Sequence, residues 1–344
     1  MAPDASGPTG TGPQAQIIDV VSFLPERVVS NADPEGGADA LGDHAFFRGV
    51  AERRFASPDH TSAELGAAAI AKLLARTGLA AEDVDLILYN CVFNDTFWPG
   101  IGPAVQDAVG ARRATVQQLD TSCCSWLSGL RTAQAFIESG IHRNVVVLTV
   151  TNFVSRLPEF QQSHRSRVLG DGATATLVAP GRRSVLSAHE RAHGQHYGLL
   201  RFEPDLVDGV FRNHWERGCG PITVNFTKEK LAAIRENSLA LVPEAVGIAL
   251  DAAGLTADDV DLLVTHQPNA DFLAEWRARC GIDPKRSHDT LAKYGNLFAG
   301  SIPVTVADAL DHGLIADGDL LAFGTFANGG DIVSAMTVRW HTGH

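Results

Sequence analysis

Apolar residues in this chain follow two rhythms, one helical and one of buried strands. Trp126, Leu130, Ala133, Phe136 and Ile137 recur at three- and four-residue spacing, which puts them on one face of an α-helix. Val145-Val146-Val147-Leu148-Thr149-Val150 is apolar almost throughout, as a strand covered on both faces must be. The contrast returns later, where a predicted helix over 302–310 precedes a predicted strand over 319–323.

One phrase occurs twice. Gly78-Leu79-Ala80-Ala81-Glu82-Asp83-Val84-Asp85-Leu86-Ile87-Leu88 returns as Gly254-Leu255-Thr256-Ala257-Asp258-Asp259-Val260-Asp261-Leu262-Leu263-Val264, an offset of 176 residues (254 − 78). Each copy follows an Ala-rich amphipathic helix, over 67–76 and 244–253, and ends in a short apolar run that reads as a buried strand. The pattern predicts an α/β protein of two similar halves, 17–181 and 182–344, meeting near Pro180-Gly181-Arg182-Arg183. Residues 1–16 are rich in Gly, Pro, Ala and Thr, with no basic or apolar core, and read as a flexible tail rather than a signal peptide. Residues 195–230 carry neither rhythm and include Trp215 and Cys219-Gly220-Pro221, which suggests a lid-like insertion.

Composition narrows the function classes. With 344 residues, 45% hydrophobic and 20% charged, the chain suits a globular enzyme of two domains or one duplicated unit. A net charge of -12 argues against nucleic acid, which needs a basic surface. No apolar run approaches the roughly 18 residues of a membrane span. The five cysteines, Cys91, Cys123, Cys124, Cys219 and Cys280, form no CxxC pair, so neither a disulfide framework nor a metal site is expected. Reduced thiols in a cytoplasmic enzyme are the expectation.

Three places could carry chemistry. Cys123 and Cys124 lie at a strand-to-helix junction, where unpaired backbone N–H groups and the helix dipole favour a thiolate. Either cysteine also fits as small core filler. His266 follows directly on the predicted strand over 261–265, at the end where α/β proteins place their chemistry. Asn296, after Tyr294-Gly295, reads as a helix cap or as an amide donor. If the halves pack about a pseudo-two-fold axis, thiol, imidazole and amide converge on one cavity, which is equipment for acyl transfer.

The ordered motifs resemble the thiolase-fold ketosynthases, specifically the β-ketoacyl-acyl carrier protein synthase III family. Arg48-Gly49-Val50-Ala51-Glu52-Arg53-Arg54 resembles its T-G-I/V-x-E-R-R segment, and Trp98-Pro99 its Phe-Pro at the acyl pocket. Gly110-Ala111-Arg112 leads without gaps to Cys123; Gly170-Asp171-Gly172-Ala173 resembles G-D-G-A. His266-Gln267-Pro268-Asn269 resembles H-Q-x-N, and Tyr294-Gly295-Asn296 resembles Y-G-N. The likeness runs from about Gln16 to Trp340.

The resemblance implies a thiolase fold, with the duplicated halves in five α-β-α-β-α layers, and a homodimer in which the Trp98 segment reaches the neighbouring site. It implies Cys123 as nucleophile, because the family's aromatic at +3 and Gly-Leu at +6 and +7 fall on Trp126, Gly129 and Leu130 when counted from Cys123, not Cys124. His266 and Asn296 would stabilise the enolate of a malonyl-type thioester in a decarboxylative Claisen condensation. The oxyanion donors would be the backbone of Cys123 and of the Gly-rich stretch 324–330, starting with Gly324. Trp98, Asn269 and Phe298 would line the substrate pocket. No metal or organic cofactor is implied.

Some positions depart from the family. Ser125 stands where Gly is usual, Ala270-Asp271 replaces a basic residue after H-Q-x-N, and Asp43 and Phe47 stand where aromatic and basic residues grip coenzyme A. Losing positive charge at a phosphate site removes charge-assisted contacts, so a carrier-protein donor, or coenzyme A held differently, is expected. The alternative activity is acyl transfer to a hydroxyl or amine without decarboxylation, with His266 as general base. A non-catalytic partner subunit is a third reading, disfavoured by the intact Cys123, His266 and Asn296.

Overall fold

The computed structural model describes residues 12–32, 47–161 and 163–343. Asp43 and most of the expected tail, 1–11, lie outside the described residues. The N-terminal half runs β1 (Gln14–Phe23), β2 (Arg27–Ser30), β3 (Glu52–Phe55), α1 (Ser62–Thr77), β4 (Leu86–Cys91), α2 (Gly102–Ala108), β5 (Thr115–Gln118), α3 (Ser125–Glu138), β6 (Val145–Thr151), α4 (Pro158–Gln161) and β7 (Gly172–Gly181). The C-terminal half runs β8 (Val185–Ala192), β9 (Phe202–Pro204), β10 (Ile222–Val224), α5 (Lys228–Ala252), β11 (Leu262–Thr265), α6 (Ala270–Arg279), α7 (Leu291–Tyr294), α8 (Ser301–Asp311), β12 (Leu320–Ala327) and β13 (Ile332–Arg339).

Two of these elements correct the sequence reading. β1 takes in residues 14–16, assigned above to the tail, because Gln14 to Gln16 pair with Gly181 to Ala179 of β7. Within 195–230, β9 and β10 form an antiparallel pair and α5 begins at Lys228. Strands of three residues are too short to leave a period in the sequence.

The repeated phrase sits where each outer helix hands over to a strand. Thr61 and Glu64 form a capping box at the start of α1, and Gly78 closes the helix in the left-handed region at φ 71°. Gly254 does the same after α5 at φ 69°. The following apolar runs are β4 and β11, every residue buried.

Those strands enter two sheets, ordered β1-β7-β6-β4-β5 and β11-β12-β13-β8. α1 and α2 cover the outer face of the first sheet, and α5 covers the outer face of the second with α6 packed on it. Between the sheets lie α3, which touches β6 and β7 as well as β8 and β13, and α8, which touches β1 and β11. The result is the five-layered α-β-α-β-α arrangement of a duplicated thiolase fold. Where a helix is enclosed in the middle layer it has no solvent face, so its sequence there is apolar or small all round. Ser301 to Ala309 of α8 are all buried, as are Ser125 to Leu130 of α3. Trp126, Leu130, Ile302, Val306, Phe323 and Met336 share one core cluster across the layer. Each such side chain stabilises by about 1.5–3 kcal/mol when fully buried.

Among the described residues, no helix is long and apolar enough to cross a membrane. Close approach in the middle layer depends on Gly129, where an added Cβ would lie 2.6 Å from Val147 Cγ1 of β6. Gly129→Ala is expected to destabilise the fold by about 1–3 kcal/mol in urea denaturation. Val147→Ala should offset part of that loss in a double-mutant cycle; strictly additive effects would show that the contact does not limit packing.

Candidate active site

Two turns, one in each half, build the site. After β5 the chain enters α3 through a tight 3-10 turn over Ser122–Cys124, and Ser122 takes a left-handed φ of 50°. Asp120 Oδ1 accepts the Ser122 N–H at 2.8 Å, and Ser125 Oγ accepts the Thr121 N–H at 2.9 Å. After α7 the same construction returns. Asn296 Oδ1 accepts the Phe298 N–H at 2.8 Å, Ser301 Oγ accepts the Leu297 N–H at 3.0 Å, and Phe298 has φ 51°. Each pair, Asp120 with Asn296, Ser122 with Phe298 and Ser125 with Ser301, is again separated by 176 residues (296 − 120). The duplication therefore extends into the active-site turns, where little sequence identity marks it. A non-glycine residue held left-handed costs about 1–3 kcal/mol, and the side-chain hydrogen bonds hold it there.

By the same offset His266 corresponds to Asn90, and each ends its strand region, after β11 and within β4. The His266 N–H donates to the Gly324 carbonyl at 2.9 Å, which fixes the imidazole just past the strand end. Cys123, His266 and Asn296 line one cleft. Its walls are largely apolar and include Phe202, Val224, Phe226, Phe298 and Phe326. Of these only Phe298 was expected. Phe202 and Val224 come from β9 and β10, which the sequence left unstructured.

The protonation of the cysteine differs from expectation. The helix start was expected to lower the Cys123 thiol pKa; instead it is pushed up to about 12. Burial is the largest cause, followed by the carboxylates of Asp331 and Asp120, and the Cys123 N–H opposes them only weakly. The free enzyme thus holds a thiol. Cys124 is buried, its Sγ–H directed at the Ile332 carbonyl at 3.8 Å, and burial raises its pKa well above the ordinary thiol value. Its side chain is packed in the interior and does not line the cleft.

Burial pushes the His266 pKa down to about 3, so the ring is neutral, and its Nδ1 has no partner among the described residues. Asn296 Oδ1 accepts from both Phe298 N–H and Ser301 Oγ–H. That leaves its Nδ2 group to donate. A neutral imidazole and an amide N–H₂ facing one cleft are suited to stabilising a developing oxyanion.

Three other expected residues lie elsewhere. Gly324 is in the middle of β12, not in a loop, and its carbonyl faces β11. A strand residue turns N–H and C=O to the same side, so the Gly324 N–H points at β11 as well. Phe326 has the same parity, lies past the last β11 pair at Gly324, and lines the cleft. Asn269 is fully buried as the N-cap of α6, accepting the Phe272 N–H at 2.9 Å, and is not part of the cleft wall. Trp98 is 84% exposed, away from the cleft of its own chain. One contributor went unseen in the sequence: Asn328, at φ 44°, donates from Nδ2 to Ser122 Oγ at 2.9 Å. The Gly-rich stretch 324–330 was expected beside Cys123 for a backbone donor, but nothing in the sequence gave the Asn328 side chain a role there.

The chain is similar to known proteins in sequence and fold. Residues 118–194 match the 3-oxoacyl-(acyl carrier protein) synthase III family, and residues 250–340 match its C-terminal region. The chain is 31% identical over 325 residues to beta-ketoacyl-(acyl carrier protein) synthase III 1 of Bacillus anthracis, covering 94% of this chain and 98% of that one. It is 32% identical over 330 residues to the synthase III of Symbiobacterium thermophilum, with 92% and 95% covered. The solved structure of the Thermus thermophilus synthase III superposes with a TM-score of 0.82 at 26% identity, covering 95% of this chain and all 100% of that one.

A thiol with a pKa of about 12 is roughly one part in ten thousand thiolate at pH 8. Inactivation by iodoacetamide should therefore be slow at pH 8 and rise about tenfold per pH unit to at least pH 10. Asp331→Asn removes a charge that favours the thiol and should speed alkylation at any fixed pH. A rate already level above pH 8 would contradict this electrostatic picture.

Proposed function

The chain belongs to the 3-oxoacyl-(acyl carrier protein) synthase III family, and on that premise we propose that it is a condensing enzyme joining an acyl group to a malonyl-type thioester, in fatty acid or polyketide biosynthesis. The observation that carries the reading is the convergence of Cys123, His266 and Asn296 on one apolar cleft.

In the first step Cys123 Sγ attacks the acyl thioester carbonyl. The backbone N–H groups of Cys123 and Phe326 hold the tetrahedral oxyanion. Collapse forms the acyl–Sγ bond, breaks the donor's carbon–sulfur bond and releases the donor as a thiol carrying the cysteine's proton. The malonyl-type thioester then enters the vacated cleft. His266 and Asn296 Nδ2 donate to its thioester carbonyl, so the carbon–carbon bond to the carboxylate breaks, carbon dioxide leaves, and the electron pair remains as an enolate. The enolate carbon attacks the acyl carbonyl and expels Cys123 as a thiolate. A proton from solvent restores the thiol, whose raised pKa favours that return.

The surroundings of His266 favour condensation over transfer to a hydroxyl or amine. A general base acting on such an acceptor is normally oriented by a carboxylate. Here Nδ1 meets no partner among the described residues, and the ring resists protonation. Both features suit a neutral hydrogen-bond donor.

The active form we propose is a cytoplasmic homodimer, supplied by acyl thioesters on a carrier protein or coenzyme A. Phe97 and Trp98 are 96% and 84% exposed, and among the described residues β5 is an edge strand paired with β4 alone. Exposed aromatics beside an open edge mark a surface that another chain covers. The five free thiols fit a reducing compartment.

Acylation and decarboxylation can be followed separately. Cys123→Ala is expected to abolish the acyl adduct seen by mass spectrometry, and Cys124→Ala to retain it. Asn296→Ala should keep the adduct but slow carbon dioxide release from the malonyl thioester by about 10²–10³-fold. A stable adduct with no decarboxylation in the unaltered enzyme would sink the condensation reading. For the dimer, Trp98→Asp should shift sedimentation toward monomer and lower condensation; an unaltered dimer with full activity would remove Trp98 from the interface.

A further inference from the structure

A second cavity opens beside the nucleophile turn. It is lined by Asn90, Asp120, Ser122 and Asn328, and it shares Phe202, Phe298 and Asn328 with the catalytic cleft. His266 and Asn296 line only the cleft. This division matters for a reaction with two thioesters. Both must present their carbonyls in the cleft in turn, so the acyl group left on Cys123 has to lie elsewhere while the second substrate is bound. A cavity that starts at Ser122, the residue before Cys123, and shares Phe202, Phe298 and Asn328 with the cleft adjoins the nucleophile.

One side of its wall is rich in acceptors, and the other is formed by Cys91, Val92, Phe202 and Phe298. Asp120 Oδ1 is occupied by the Ser122 N–H at 2.8 Å and by Asn90 Nδ2 at 3.3 Å, whereas Oδ2 receives no donor from the described residues. Asn90, only 5% exposed, donates from Nδ2 to the Leu119 carbonyl and to Asp120, and its Oδ1 has no donor among the described residues. Asn328 Nδ2 donates to Ser122 Oγ and Asp331 Oδ2, which leaves its Oδ1 without one as well. Against these three oxygens the wall offers a single hydroxyl, that of Ser122. Asp120 is exposed at the rim and Asn90 is buried, so a ligand that covers these oxygens must supply donors in place of the water it displaces.

The pseudo-two-fold partner of Asp120 sharpens the point. Asn296 makes the same turn with an amide, at the same 2.8 Å and with the following φ within a degree. The turn therefore does not require a carboxylate. The charge at residue 120 is free to serve something else.

We propose that this polar cavity receives the acyl group carried on Cys123, and selects one bearing a hydrogen-bond donor, an ammonium or a hydroxyl, a few carbons from the thioester. The inference rests on the condensation reading given above. Asp120 is the residue that separates the two donors, because a carboxylate binds an ammonium more strongly than a hydroxyl.

The test uses the full-length enzyme with butyryl, 3-hydroxybutyryl and 3-aminobutyryl thioesters of N-acetylcysteamine. The rate of adduct formation on Cys123 is read by mass spectrometry. Both substituted groups should load at least tenfold faster than butyryl. In Asp120→Asn, whose turn Asn296 shows to be compatible with an amide, the 3-aminobutyryl to butyryl ratio should fall at least tenfold, and the 3-hydroxybutyryl ratio should fall less. Thermal melting checks that the variant is folded; if it is not, the wild-type ratios decide alone. Equal loading of all three, or faster loading of butyryl, overturns the inference and leaves the condensation reading standing. An unaltered ratio in a folded Asp120→Asn removes the selecting role of that carboxylate. Absence of any adduct overturns both readings.

Discussion

Everything in this molecule depends on burying the first turns of two helices between two sheets. α3 is buried from Ser125 to Leu130 and α8 from Ser301 to Ala309, so those residues are apolar or small, and the two N-termini meet inside the protein. That constraint sets the close contact at Gly129 and the shared cluster of Trp126, Ile302 and Phe323. It also creates the site. Two helix starts face each other across the centre, and the turns before them deliver Cys123 from one half and Asn296 from the other. Outside this layer, the buried Asp171 carboxylate ties neighbouring segments together by accepting N–H groups of Ala56, Phe153, Val154 and Ser155.

The same burial governs the chemistry. Desolvation raises the thiol of Cys123 and lowers the imidazole of His266, so both are neutral at physiological pH. A pre-formed thiolate–imidazolium pair is not what the site holds. Neutral donors suit a reaction whose difficult species is an enolate, and the thiolate expelled at the end readily takes up a proton again. The nearby carboxylates of Asp331 and Asp120 push the cysteine the same way, against the helix dipole.

Much of the site was legible, for reasons that differ residue by residue. His266 was visible because a four-residue buried strand ends directly before it, and Asn296 because the repeat placed it before a helix equivalent to that of the cysteine. Cys123 was separated from Cys124 only by motif spacing, and the cleft then placed Cys123 on its wall. Gly324 was misjudged because glycine suggests a loop, whereas here it lets β12 pass under Val242 and Val246 of α5 without a side chain. Asn269 was misjudged because a cap and a pocket donor look the same in one dimension. The aromatic walls from β9, β10 and Phe226 could not be read at all, since three-residue strands leave no period.

By itself the sequence determined the α/β pattern, the 176-residue duplication and the residue types able to carry acyl chemistry. Those follow from local rules: periodicity, turn residues and spacing act over a few residues and survive in one dimension. Only the tertiary structure decided that the duplication continues into the turns at Asp120 and Asn296, where identity has faded but the hydrogen bond has not. It alone decided the protonation of Cys123 and His266, because desolvation depends on everything packed around a group and not on its neighbours along the chain.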